Sequence, residues 1–121
     1  MSEPSDKELA GFIMGLLKME PCIAKEIIGY IKLSEGQALG PSIQDVFEPE
    51  DNHDRMVSAF IRDLIEEEMV SRSFYSFRYK KVSGERWELK MDWADTCFIE
   101  IDKSKTRAVA LAAYQALGGK P

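Results

Sequence analysis

The apolar positions along the chain follow two periods, and the change from one to the other divides it. In the first half they recur at one-face helical spacing: Leu9, Phe12, Ile13, Leu16 and Leu17; then Ile23, Ile27, Ile28 and Ile31; then Met56, Val57, Phe60, Ile61, Leu64 and Ile65. Residues three and four apart share a helix face, so three helices with buried stripes are predicted. After Val70 the period drops to two. Tyr75, Phe77 and Tyr79 alternate with Ser76, Arg78 and Lys80, and Trp87, Leu89 and Met91 alternate with Arg86, Glu88 and Lys90. This is the pattern of a hairpin with one apolar and one charged face. Cys97, Ile99 and Ile101 supply a third strand. From Ser104 to Leu117 the helical period returns, with alanines at 108, 110, 112, 113 and 116. Alanine combines high helix propensity with little side chain, which predicts a lid helix lying close against the sheet.

The punctuation between these runs agrees with them. Ser5 and Glu8 fit a capping box for the first helix, which is expected to end near Glu20. Pro21 suits the first turn of the second helix, which closes before Gly36 and packs back on the first. Asp51 or Asn52 can cap the third helix, and Asp102 or Ser104 the last, which Gly118 and Gly119 stop. Ser83-Gly84-Glu85 turns the hairpin, and Trp93-Ala94-Asp95 makes the next connection. Only residues 34–53, SEGQALGPSIQDVFEPEDNH, follow no period. A loop of that length either holds a helical turn around Ile43, Val46 and Phe47 that plugs the core, or is a functional segment. The predicted class is α+β, in the order α-α-loop-α-β-β-β-α. One domain covers residues 1–121: a helical hairpin at 1–33, a long loop at 34–53 and an αβββα unit at 54–117. Trp87 is expected to be buried on the central strand of a three-stranded antiparallel sheet.

Size and charge narrow the function. A chain of 121 residues has room for one core. No apolar run approaches the ~20 residues that span a bilayer, and MSEPSDKE at the N-terminus is acidic and polar where a secretory signal would be basic and then apolar. A cytoplasmic location is the expectation. Cys22 and Cys97 fit neither a CxxC nor a zinc pattern and are expected in the core. Net charge is −5, with −6 in residues 1–53 and +1 in residues 54–121. The first half therefore repels nucleic acid.

Catalytic chemistry is not legible in this chain. The single histidine, His53, stands in an acidic loop away from any candidate nucleophile. One histidine and two distant cysteines make no zinc quartet, and the acids of 45–54 lack the EF-hand spacing. Neither a P-loop nor a GxGxxG fingerprint is present. No enzyme activity, cofactor or metal is expected. The candidate interaction residues are the bases on the charged face of the hairpin, Arg78, Lys80, Arg86 and Lys90, together with Glu66, Glu67 and Glu68 at the end of the third helix. Those glutamates oppose the helix dipole, so they form either a solvated face or an acidic contact surface.

From Asp54 to Leu117 the chain runs helix, three strands with a tryptophan in the second, then an alanine-rich helix that ends in Ala-Leu and glycine. This half resembles the phage ABA-sandwich domains of bacteriophage and prophage genes. The resemblance implies a phage accessory protein with no catalytic residues, and small proteins of that kind often bind host proteins. The same segment is similar to a double-stranded-RNA-binding domain, with Ser104, Lys105, Ala108, Ala112, Ala113, Ala116 and Leu117 matching its final helix. Thr106 and Val109, however, stand where two of its three phosphate-binding lysines would be, and Ser83-Gly84-Glu85 lacks its minor-groove loop. Residues 7–91 are also similar to a winged helix-turn-helix, but the recognition helix would carry Asp54, Asp63 and Glu66 to Glu68 against Arg55 and Arg62. The expectation is therefore non-enzymatic binding of another protein, with nucleic-acid binding through the basic hairpin face as the alternative.

Overall fold

A computed structural model describes residues 3–17 and 43–121. Within them lie α1 (Asp6–Leu16), α2 (Ile43–Phe47), α3 (Asn52–Ser71), β1 (Tyr75–Val82), β2 (Arg86–Trp93), β3 (Thr96–Asp102) and α4 (Lys105–Ala116). The class is α+β. The second predicted helix and the core placement of Cys22 lie outside the described residues.

α1 starts at the expected cap, and α3 and α4 each start at one of the two residues expected to cap them. Ser5 Oγ accepts from the Glu8 N–H at 3.1 Å, Asp51 Oδ1 from the Asp54 N–H at 2.8 Å, and Ser104 Oγ from the Arg107 N–H at 3.1 Å. α1 closes at Leu16 rather than near Glu20, with Leu17 as its C-cap. The aperiodic stretch does hold a plug: Val46 and Phe47 of α2 are buried in the core.

The three strands form one antiparallel sheet in the order β1-β2-β3. α4 is more than a lid. It packs on β2 and β3 and also meets α1, α2 and α3, so Thr106 and every residue from Ala108 to Ala113 are buried. Its small side chains let these layers approach together. A buried hydroxyl pair, Ser58 and Thr106 at 2.7 Å, joins α3 to α4. Thr106 donates to the Ser58 carbonyl at 3.1 Å, which leaves its oxygen to accept from the Ser58 hydroxyl.

Four expectations about which way side chains face are corrected. In β3, Cys97, Ile99 and Ile101 point outward, away from the helices. Trp93 pairs with Thr96, so the connection is the two residues Ala94-Asp95, not three, and the residues opposite Leu89 and Met91 are Glu100 and Phe98. Directly opposed residues share a face, so one residue fewer in the connection exchanges the two faces of the strand. Burial therefore pushes the Glu100 carboxyl up, with Glu3 and Asp102 adding to the effect. In β1 the register shifts between Tyr75 and Arg78, where Ser76 has φ +58°. This bulge pairs Tyr75 with Asp92 and leaves it half exposed while Phe77 packs inward. On α3, Ile61, Ile65 and Met69 are buried, but Met56 and Phe60 are exposed; the core side of the helix is narrower than its apolar stripe. Trp87 is half-buried at the turn end of β2, and Leu89 and Met91 form the buried centre.

Candidate functional site

All the described helices that touch the sheet lie on one side of it, so its other face looks outward. The register arranges that face in rows: Tyr75, Asp92 and Cys97; Arg78, Lys90 and Ile99; Lys80, Glu88 and Ile101; Val82 and Arg86. All four bases predicted as interaction residues stand on it together. Arg78 Nη2 lies 3.0 Å from Asp92 Oδ2, and Lys90 Nζ lies 3.7 Å from Glu88 Oε1. Arg86 donates to the Ser83 carbonyl at 3.2 Å. Neither Lys80 nor Arg86 has a carboxylate partner among the described residues, so the face keeps net positive charge.

Alternation did not show that this face is also apolar. Ile99 is 51% exposed and Ile101 45%, side by side on the edge strand β3. The signal was available in the two-residue connection before β3, which sets its parity. Cys97 continues the same stripe and is exposed. Its thiol is pushed up, by the local loss of water and by a bond to the Asp92 carboxylate.

The three glutamates are not brought together. Successive helix residues are ~100° apart, so three in a row face in different directions. Glu66 accepts the phenol of Tyr79 at 2.7 Å, Glu68 pairs with Arg72 at 3.1 Å within the helix, and Glu67 is exposed. A groove of about 430 Å³ between α3 and β1 does keep Glu66 and Glu67 near Asp63, Val70 and Phe77. Burial, and then the hydrogen bond to Glu66, push the Tyr79 phenol well above its ordinary range.

A second concavity lies on the helix side, between the corner that joins α2 to α3 and the start of α4. Its volume is about 750 Å³. Arg55 and Arg62 enter it from α3, and Lys103 and Lys105 from the start of α4. Forty residues of chain lie between Arg62 and Lys103, and no local spacing announces the meeting of the two pairs.

Among the described residues, no three His, Cys, Asp or Glu side chains are grouped as metal ligands, and no helix is long and apolar enough to cross a membrane. No known protein family, curated protein or solved structure matches the chain.

Proposed function

We propose that the chain is a non-enzymatic accessory protein of the phage or prophage type, which acts by holding another protein on the outward face of its sheet. The observation that supports this reading is the exposure of Ile99 and Ile101 on the same face as Lys80 and Arg86, two bases with no carboxylate partner among the described residues. An isolated sheet face is ordinarily polar. Two adjacent isoleucines left in water on an edge strand give a partner apolar surface to cover and an unpaired strand edge to extend.

The charge around them selects the occupant. Four bases face two carboxylates in the rows beside the isoleucines, so a second copy of this face would meet like charge. A foreign segment carrying apolar and acidic side chains is complementary to it. Duplex nucleic acid is the competing occupant of the bases, but it would leave the isoleucines unburied.

Affinity capture from bacterial lysate, with the captured proteins quantified for wild type, Ile99→Arg and Lys80→Glu/Arg86→Glu, tests the reading. Capture of a protein that is released by salt and lost in both variants is the expected result. A captured set unchanged by either variant overturns it, as does a submicromolar, salt-sensitive complex with random duplex DNA or RNA that the Lys80→Glu/Arg86→Glu variant loses.

A further inference from the structure

The cleft on the helix side is distinct from the sheet face, and its electrostatics are unusual for an acidic chain. Arg55 and Arg62 are seven residues apart on α3, so they project from the same side, roughly 10 Å apart along the axis. Lys103 and Lys105 face them from the start of α4. Among the described residues none of these four makes an ion pair, whereas Arg72, Arg78, Lys90 and Arg107 all do. Arg55 donates to Asn52 Oδ1 at 3.2 Å, and Arg62 lies 5.8 Å from the centre of the Tyr79 ring. Lys105 Nζ stands 4.0 Å from the centre of the Trp87 ring. These contacts hold Arg55, Arg62 and Lys105 in place without neutralising them.

Two carboxylates, Glu48 and Glu50, also line the cleft, and they leave an excess of positive charge. Phe47 and Trp87 supply apolar wall, which keeps the field between the cations from being screened as it would be in open water. The first turn of α4 adds partial charge of the same sign. The two carboxylates offset half of the charge of the four cations, and the remainder favours a bound anion.

We propose that this cleft binds a small ligand carrying two or more phosphates, of the size and charge of a nucleotide. The volume is that of an ordinary small-molecule site, and the spread of the cations exceeds what one phosphate can bridge. Guanidinium groups grip phosphate oxygens in pairs, and the lysines contribute point charge.

Calorimetric titration of the full chain with pyrophosphate and with ATP, at fixed ionic strength and with sulfate as control, decides the matter. Wild type is compared with Arg55→Gln, Lys105→Gln and, as a control on the other face, Arg78→Gln; thermal melts establish that each variant folds. Saturable binding of pyrophosphate or ATP, weakened roughly tenfold by each cleft substitution and unchanged in Arg78→Gln, is the expected result. No saturable binding at millimolar ligand overturns the proposal, and so does binding that both cleft variants retain. Sulfate bound as tightly as pyrophosphate makes the cleft an unselective anion trap and overturns it too. Duplex RNA bound more tightly than ATP, and released by the same substitutions, replaces the small ligand with a nucleic acid.

Discussion

Tyr79 shows how one residue ties a strand to a helix. Its phenol donates to Glu66 Oε2 at 2.7 Å, in a half-buried position between β1 and α3. Tyr79→Phe removes that bond and leaves the carboxylate facing a ring, which should cost about 1–2 kcal/mol at neutral pH. The pH dependence has a definite sign. The folded state holds the phenolic proton more tightly than the unfolded chain, whose tyrosine titrates near 10.0. The resulting stability is fully present below that value and is lost as pH rises toward the folded pKa. Urea unfolding from pH 8 to 12 should therefore show wild type losing its advantage over Tyr79→Phe above pH 10, and parallel curves across that range would exclude the coupling. Sequence alternation placed Tyr79 on the inward face. It could not pair Tyr79 with Glu66, because that contact depends on how α3 crosses the sheet.

At the scale of elements, β2 and β3 separate what pattern can give from what it cannot. The parity of β2 was legible, since Leu89 and Met91 are buried and Lys90 is not. The parity of β3 was not, because both of its faces carry large apolar residues, Phe98 on one and Ile99 and Ile101 on the other. Only the length of the connection between the strands chose between them. Burial also falls along β2 toward the turn, so its aromatic end is not its centre of stability. Leu89→Ala should cost ~2–5 kcal/mol, the range for a buried leucine in a packed core. Trp87→Ala should cost roughly 1–3 kcal/mol, less than a fully buried tryptophan, because part of its ring is already in water. Chemical denaturation of both variants checks the order. A Trp87→Ala variant less stable than Leu89→Ala would mean that the cation contact with Lys105 or the packing of the turn end has been undervalued.

For the molecule as a whole, Arg107 is the polar link between its two ends. Its guanidinium lies 3.0 Å from Asp6 Oδ1 at the start of α1, 2.8 Å from Asp102 Oδ1 at the end of β3 and 3.5 Å from Glu3 Oε1. The side chains of Arg107 and Asp102 are each only 18% exposed, so that pair is screened less than a surface ion pair, while Asp6 and Glu3 stand further into water. Arg107→Ala leaves Asp102 facing Asp6 without its cation and should destabilise the fold by roughly 1–3 kcal/mol. Thermal melts of wild type and variant measure the loss. A variant melting with wild type would make the contacts of α1 with α4 sufficient without the ion pairs. No motif marks Arg107, since its hydrogen-bond partners Asp6 and Asp102 stand 101 and 5 residues away along the chain.

The sequence by itself determined the class, the order of the described elements and the start of α1, and narrowed the starts of α3 and α4 to two residues each, because periodicity and capping are properties of neighbouring residues. Ser5, Asp51 and Ser104 each act within four positions of themselves, and no distant part of the chain is needed to explain them. The tertiary structure decided which face of β3 meets water, how narrow the core side of α3 is, and where the bases of the second half converge. Those outcomes depend on the register across a two-residue connection and on the approach of α4 to α3. The same compaction that buries the alanines of α4 brings Lys103 and Lys105 to within one cleft of Arg55 and Arg62. Distance along the chain carries no information about that meeting.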